Sequence, residues 1–223
     1  MLLQVIKYFP SACIMDIGGA NGKLSRLLSE QQIETILLEP GIEGVMNARR
    51  NGLKHIIHAS FQAACFKENS LPSIGLFDVL EHIEQDVLFL QSLSRAMKGG
   101  STLYITVPAF MFLWSDFDHG VGHFRRYTTS SLCTKLRASG FEVVYDTYFF
   151  SWLPAPMLIV RTLSKLLNGK KVNRETEHLR KRSVLGNMLL AVLKPELVAL
   201  KHRIKIPFGS SCLVIARKPQ NYE

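Results

Sequence analysis

Short apolar runs alternate with segments of helical periodicity over the first 150 residues of the chain. The apolar runs predict strands at 13–17, 35–38, 55–59, 73–77 and 103–107, with two more within 141–149 and 210–218. The helical periodicity predicts helices at 23–30, 43–51, 84–98 and 129–140, and a short one within the first ten residues. Strands that alternate with helices through short connections favour an α/β fold with a doubly wound, mostly parallel sheet.

A glycine-rich turn follows the first predicted strand, in the sequence IMDIGGANGKLSRLL that begins at Ile14. Glycines let a backbone approach a ligand closely, and the amide groups at the start of the next helix face whatever is bound. Glu39 ends the next apolar run, 21 residues after Gly18. Nucleotide-binding α/β units place the acid that contacts a ribose at about this distance. The segment therefore predicts a nucleoside-binding site.

The carboxylate of Asp16 distinguishes between possible nucleosides. It lies two residues before the first glycine, and the pattern G-G-x-x-G lacks the first glycine of the dinucleotide fingerprint G-x-G-x-x-G. A carboxylate at this place would repel a pyrophosphate and attract an ammonium group. S-adenosylmethionine carries an ammonium group and a sulfonium but no phosphate, so the turn favours this cofactor over a nicotinamide dinucleotide.

Four motifs together resemble the class I S-adenosylmethionine-dependent methyltransferase superfamily. They are DIGGANG, the acid in LLEPG, FDVLEHIEQ after the fourth strand, and MKGGSTLYITVP leading into the fifth. The later stretch LWSDFDHGVGHFRRYT resembles a subset of bacterial members. The resemblance covers about residues 12–150 and the last strand. It implies a Rossmann-like sheet of seven strands with the last strand antiparallel, and S-adenosylmethionine as the cofactor.

The resemblance also implies which residues bind the cofactor. Those expected around its methionine part are Asp16, Gly18, Gly19 and Gly22, and those beside the ribose are Glu39 and Pro40. Asp78, Val79 and Leu80 are expected to line the cofactor after the fourth strand. Members of the superfamily often place an acid against the adenine after the third strand, where this chain has Ser60 and Phe61.

Methyl transfer requires a base only when the acceptor is a hydroxyl or a protonated amine. Histidine is the natural candidate because its ordinary pKa is near neutrality. The resemblance places His82 between cofactor and acceptor, although a purely structural role at the start of a helix stays open for it. His123, with His119 beside it, is a further candidate, and Tyr127 is expected to orient the acceptor.

The loop that contains these later residues allows other interpretations. His119 and His123 could share a metal with two nearby aspartates, but Gly120 and Gly122 argue against the helix that this spacing needs, so no metal site is predicted. Arg125 and Arg126 could pair with an anionic group of the substrate. Alternatively, Arg126 and Tyr127 could anchor the loop to Asp116 or Asp118.

The positive charge of the chain is concentrated near its end. Residues 158–206 hold 12 Lys and Arg against 3 Asp and Glu, a net charge of +9, so the remainder, with 15 of each, is balanced. We predict one domain over 1–223, with a basic helical insertion at 151–207 that contains an amphipathic helix near Met157–Leu167. This insertion could contact an anionic membrane surface, bind nucleic acid, or form a lid or dimer contact. Aromatic residues are not interleaved with the basic ones, and the tetrapeptide of amino-group DNA methylases is missing, which argues against nucleic acid.

Location and activity follow from these features. Four cysteines without CxxC pairs, and an apolar N-terminus unlike a signal peptide, favour a cytoplasmic protein, with membrane association left open. The predicted activity is methyl transfer from S-adenosylmethionine to a small-molecule or lipid-linked acceptor by in-line displacement. A NAD-dependent oxidoreductase and a cofactor-binding protein without turnover stay open as alternatives. The oligomeric state is not predicted.

Overall fold

The computed structural model describes residues 2–155 and 184–220, with side-chain detail for all of these except 184–192. Its centre is a seven-stranded sheet. The strands are β1 (Cys13–Ile17), β2 (Glu34–Leu38), β3 (Ile56–Ile57), β4 (Ser73–Phe77), β5 (Thr102–Pro108), β6 (Glu142–Phe149) and β7 (Ser211–Arg217). They lie in the order β3-β2-β1-β4-β5-β7-β6, with β7 antiparallel to both neighbours and every other pairing parallel. The predicted fold class is therefore confirmed.

Helices cover both faces of this sheet. They are α1 (Leu2–Tyr8), α2 (Lys23–Ser29), α3 (Ile42–Arg50), α4 (Asp86–Ala96), α5 (Asp116–Gly120), α6 (Thr129–Ala138) and α7 (Val184–Lys201). Two short 3₁₀ helices, Leu80–His82 and Met111–Leu113, follow β4 and β5. Each lies just beyond the carboxyl end of its strand, the edge where open α/β sheets bind ligands.

Alternate side chains of the central strands enter two separate apolar clusters, because successive residues of a strand face opposite sides. One cluster packs beneath α4 and α6 and includes Met15, Ile105, Val214, Leu93 and Leu136. The other packs beneath α1, α2 and the end of α7 and includes Ile14, Tyr104, Ile215, Ile6 and Leu28. Burial on both faces explains why the strands read as nearly continuous apolar runs.

The edge strand β3 is shorter than predicted. It spans two residues instead of 55–59, although the carbonyl groups of His55 and Ile57 still accept hydrogen bonds from the amides of Leu37 in β2 and Glu39 directly after it. It pairs only with β2, and the Ile57 side chain is 36% exposed. Helix α4 is also shorter than the predicted 84–98, because Met97 turns to extended backbone and forms a bridge with Leu71.

About half of the predicted basic insertion, residues 156–183, lies outside the described residues, and this part includes the predicted amphipathic helix near 157–167. Its boundaries at 151–207, and a single domain over 1–223, stay predictions. Helix α7 falls within the predicted insertion. Its Glu196 carboxylate accepts hydrogen bonds from the backbone amides of Phe150 and Ser151, which ties the helix to the end of β6. Within 2–155 and 184–220, none of the helices has both the length and the hydropathy needed to span a bilayer.

Candidate active site

The glycine turn connects β1 to α2 and needs a glycine at three positions. Gly18 and Gly22 have φ values of +70° and +67°, a left-handed backbone that favours glycine. Gly19 has an ordinary φ, but a Cβ there would lie 2.3 Å from Oδ2 of Asp16. The turn thus wraps closely around this carboxylate. Ala20 also has a positive φ, +47°, although its side chain is only a methyl group.

Asp16 is fully buried at the end of β1. Its Oδ2 accepts a hydrogen bond from the Ser25 hydroxyl, whereas Oδ1 has no partner among the described residues. Burial raises the pKa of Asp16 to about 6, and the Ser25 bond opposes this increase. A buried carboxylate oxygen without a partner costs free energy unless a donor or cation meets it. The ammonium group of a bound amino acid would supply such a partner.

Glu39 lies at the same edge of the sheet, one residue beyond the last register pair of β1 and β2, Ile17 and Leu38. Its Oε2 accepts a hydrogen bond from the Ala20 amide at 2.9 Å, and Oε1 accepts one from the Gly41 amide at 2.7 Å. The negative charge of Glu39 contributes to the raised pKa of Asp16. The two predicted acids therefore lie near each other, and each Glu39 oxygen keeps a second acceptor direction for a ligand hydroxyl.

The segment after β4 borders the glycine turn. Asp78 has a φ of +57°, and its Oδ1 accepts a hydrogen bond from the Thr106 hydroxyl at 3.2 Å. The Val79 side chain packs against Gly18, whose ideal Cβ would lie 3.0 Å from it. Leu80 was expected to line the cofactor, but it is completely buried in the cluster beneath α4 and α6. That expectation is wrong for its side chain.

The segment after β3 also differs from the prediction. Phe61 is packed in the same core, with ring centroids 5.6 Å from Phe66 and 5.5 Å from Phe89, so its side chain does not reach the strand edge. The Ser60 hydroxyl oxygen accepts a hydrogen bond from the Ala63 amide and is partly exposed. Pro40 is exposed, and its carbonyl group interacts with the His58 ring at 3.1 Å.

A cavity of about 440 Å³ opens beyond the ends of β4, β5 and β7. Asp78 forms part of its wall, so the cavity borders the segment that packs against the glycine turn. The other lining residues are Glu81, His82, Pro108, Phe117, Val121, His123, Arg126, Ser210 and Ser211. This brings the two predicted histidines, His82 and His123, into one site, with ring centroids 4.6 Å apart. Another cavity, of about 430 Å³, lies at the opposite end of β2, away from these residues.

The loop that closes this cavity is held by Asp118, which is fully buried. The Arg126 guanidinium donates two hydrogen bonds to its carboxylate, at 2.8 and 2.9 Å. The carboxylate also interacts with Nδ1 of His123 at 2.9 Å and accepts a bond from the Ser115 amide at 2.8 Å. These partners hold the pKa of Asp118 well below its usual range despite burial. Arg126 therefore anchors the loop to Asp118, which was one of the two interpretations of the sequence.

Asp86, at the start of α4, is a second carboxylate that anchors the loop, and Arg125 and Tyr127 both contact it. The guanidinium of Arg125 lies 2.9 Å from Asp86 Oδ2, and the Tyr127 hydroxyl donates to the same oxygen at 2.9 Å. Lys135 completes this cluster at 3.0 Å. Tyr127 is almost entirely buried, and burial raises the pKa of its hydroxyl. The expectation that Tyr127 orients an acceptor is wrong, because its buried hydroxyl is bonded to Asp86. Both arginines are paired with carboxylates, but Arg126 also lines the cavity, so a contact with an anionic substrate stays a prediction.

Glu81 belongs to the cavity but was not singled out by sequence reasoning. Its side chain is 1% exposed, and Oε2 has no partner among the described residues. Burial and the neighbouring Asp78 raise the pKa of Glu81 to about 8. His82, by contrast, is exposed, and desolvation together with the nearby His123 lowers its pKa. The only signal in the sequence was the adjacency of Glu81 and His82.

Comparisons with known proteins agree with this geometry. The family described as "Methyltransferase domain" matches residues 3–146. No curated protein sequence is similar enough to count as a match. A SAM-dependent methyltransferase from Archaeoglobus fulgidus is similar in fold, with a TM-score of 0.61 and 19% identity over 97% of this chain and 92% of that one.

Two further solved structures share the fold. Phosphoethanolamine N-methyltransferase 2 from Haemonchus contortus, in complex with S-adenosyl-L-methionine, gives a TM-score of 0.62 and 17% identity, over 98% of this chain and 52% of that one. A putative methyltransferase from Bacillus halodurans gives 0.61 and 12%, over 98% and 99%. The family match covers more than half of the sequence, and the sheet has seven strands with the last one antiparallel, as predicted. The chain therefore belongs to the methyltransferase domain family, within the class I S-adenosylmethionine-dependent superfamily.

Proposed function

We propose that this chain binds S-adenosylmethionine against the glycine turn and transfers its methyl group to an acceptor held in the cavity beside Asp78. The acceptor is a small molecule or a lipid-linked molecule with an apolar portion. The chain's residues fit the cofactor: Asp16 offers an unpartnered buried oxygen to an ammonium group, and Glu39 offers acceptor directions to ribose hydroxyls. A nicotinamide dinucleotide is disfavoured because its pyrophosphate would meet the Asp16 carboxylate.

The single observation that carries this proposal is the continuity of the two parts of the site. Val79 packs against Gly18 of the turn, and Asp78, its neighbour in the chain, lines the cavity. A cofactor on the turn would thus end where the cavity begins. Such an arrangement aligns donor and acceptor for in-line displacement, and alignment supplies much of the acceleration in reactions of this kind.

The chain's own residues have a limited task in this reaction, because the sulfonium supplies an already activated methyl group. The enzyme must orient the acceptor, exclude water and receive any proton that the acceptor loses. His82 and His123 face the cavity, and desolvation together with the nearby His123 lowers the pKa of His82, which favours the neutral form of its ring. A neutral imidazole can accept a proton from a hydroxyl or an ammonium group.

The preference for a partly apolar acceptor rests on the cavity rim. Phe117 and Val121 line the cavity, and their side chains are 69% and 40% exposed. Exposed apolar side chains around a polar pocket are typical of a ligand-binding site. The net charge of +9 over 158–206 supports an anionic group elsewhere on the acceptor or on the surface that presents it.

Calorimetric titration with S-adenosylhomocysteine tests the cofactor assignment. We expect wild-type protein to bind one equivalent, and Asp16→Asn to weaken binding by at least about tenfold, because the neutral amide loses its attraction for the ligand ammonium. Asn is close to Asp in shape, which limits disturbance of the turn. Asp146→Asn is the matched control, since Asp146 lies on β6 and pairs with Lys205 at the surface. Equal affinity in wild type and Asp16→Asn would contradict the assignment.

A further inference from the structure

One carboxylate and two imidazoles converge on the wall of the cavity. Glu81 and His82 belong to the 3₁₀ helix after β4, and His123 comes from the loop that Asp118 anchors. The loop backbone is joined to this helix by a hydrogen bond from the Phe124 amide to the Glu81 carbonyl at 2.8 Å. One ligand atom from each of the three side chains lies within 4.8 Å of the others.

The Glu81 carboxylate is not explained by packing alone. It is 1% exposed, and its Oε2 has no partner among the described residues. Its Oε1 lies 3.9 Å from Nε2 of His123, which is too long for a hydrogen bond. A buried carboxyl oxygen with neither a donor nor a cation beside it is unfavourable. A cation placed between Glu81 and His123 would give both atoms a partner.

The two histidines are oriented as metal ligands commonly are. Nδ1 of His123 is bonded to the Asp118 carboxylate, which favours a proton on Nδ1 and leaves the lone pair of Nε2 directed toward Glu81. The His82 ring interacts with the backbone of Gly122. A carboxylate or a backbone group behind the imidazole is the usual way in which a protein fixes a histidine that binds metal.

The surrounding charges also favour a cation. Asp78 lines the same cavity and adds a second carboxylate to its wall. The positive charge of Arg126 would repel a cation, but this guanidinium is already paired with the Asp118 carboxylate through two hydrogen bonds. The cluster thus combines donor atoms, fixed rings and a negative surrounding.

We propose that Glu81, His82 and His123 bind one divalent first-row transition ion at the wall of the acceptor cavity. Two imidazoles and one carboxylate, with an open fourth position, form a donor set typical of catalytic zinc sites. Imidazole nitrogens favour such ions over Mg²⁺. Bonds of about 2.0–2.2 Å would place the ligand atoms about 3.4 Å apart in a tetrahedron. Oε1 of Glu81 and Nε2 of His123 are 3.9 Å apart, so a bound ion requires these ligand atoms to move closer together.

The open position of this ion faces the cavity. If the proposed function holds, on which this consequence rests, that position would take a hydroxyl oxygen of the acceptor. An ion held by these residues would lower the pKa of that hydroxyl, so that its proton would pass to solvent and its oxygen would bond to the methyl carbon as the carbon–sulfur bond breaks. This arrangement narrows the acceptor class to molecules that present an oxygen ligand.

Titration of the chelator-treated full chain with Co²⁺, followed by its visible absorption, tests the metal site directly. We expect one Co²⁺ per chain, displaced by Zn²⁺ but not by an equal concentration of Mg²⁺. His82→Ala and Glu81→Gln should each weaken Co²⁺ binding by at least about tenfold. His119→Ala should bind as wild type does, because His119 belongs to the same loop but contacts Trp114 outside the cluster. His82 is exposed, so its variant should also melt at the wild-type temperature.

Three results would overturn the proposal: no saturable Co²⁺ binding, wild-type binding by His82→Ala, or displacement by equimolar Mg²⁺. Calorimetry with S-adenosylhomocysteine on the same samples separates the two proposals. A chain that binds this ligand but not Co²⁺ refutes the metal site and leaves the methyltransferase function intact. The reverse result refutes the cofactor assignment alone.

Discussion

Substitution of Asp118 by Asn should destabilise the protein more than any change at a surface acid. Asp118 is completely buried, and the Arg126 side chain that it binds twice is only 6% exposed. The variant leaves a buried guanidinium without a counter-charge. Loss of one partner from a buried ion pair costs about 3–5 kcal/mol. Asn keeps one carbonyl acceptor for the Ser115 amide. We therefore expect the free energy of unfolding to decrease by an amount near the lower end of this range, about 3 kcal/mol.

Urea unfolding and calorimetric melting measure this loss. For a chain of this size, about 3 kcal/mol corresponds to a decrease in Tm of about 6–12 °C. Asp116→Asn is the control, because Asp116 is an exposed acid in the same short helix and should change stability by less than about 0.5 kcal/mol. If both variants unfold within about 0.5 kcal/mol of wild type, Asp118 does not organise the loop.

The pH dependence gives a second measure of the same interaction. The pKa of Asp118 is lowered in the folded state, so its stabilising contribution is fully present above its unfolded pKa of about 3.9 and is lost as pH falls below that value. The difference in free energy of unfolding between wild type and Asp118→Asn should therefore be constant near neutrality and shrink below about pH 4. A difference that persists unchanged into acid would contradict the assigned cause.

Three further predictions concern the cofactor site. Gly19→Ala should destabilise the fold and weaken S-adenosylhomocysteine binding, because its Cβ would meet the Asp16 carboxylate, whereas Gly120→Ala, with open space around it, should do neither; thermal melting and calorimetry compare them. Phe61→Leu should cost about 1–3 kcal/mol of stability in urea unfolding yet leave ligand affinity unchanged, since Phe61 is a core residue. Because the pKa of Asp16 is raised to about 6, stability of the ligand-free protein should decrease as pH rises from about 4 through 6, and calorimetric affinity for S-adenosylhomocysteine should increase over this range in wild type but not in Asp16→Asn.

The sequence predicted the positions of the strands and the glycine turn because both depend on local chemistry. Apolar runs mark buried strands, and the spacing between Gly18 and Glu39 reflects one strand–helix–strand unit. Strands β1 and β4 have the predicted bounds, and Asp16 and Glu39 lie at the predicted edge. These features can be predicted without knowing which residues, distant in the sequence, come into contact in the fold.

The wrong predictions concern residues whose surroundings depend on burial or on contacts with residues distant in the sequence. Leu80 and Phe61 follow strand ends, as ligand-contacting residues do, but the core beneath α4 receives their side chains. Tyr127 was assigned to the acceptor because tyrosine can orient a ligand, whereas the fold brings its hydroxyl to Asp86. The convergence of Glu81 with His123 depends on how the loop packs on the 3₁₀ helix, which spacing alone does not reveal.

The central claim is that one adenosyl ligand spans the glycine turn and ends at the cavity. A crystal structure of the full chain with S-adenosylhomocysteine measures this most directly. The account predicts the ligand ammonium beside Asp16, the ribose hydroxyls on Glu39, and the sulfur facing the cavity lined by His82 and His123. Ligand density at any other edge of the sheet, or a sulfur turned away from that cavity, would contradict it.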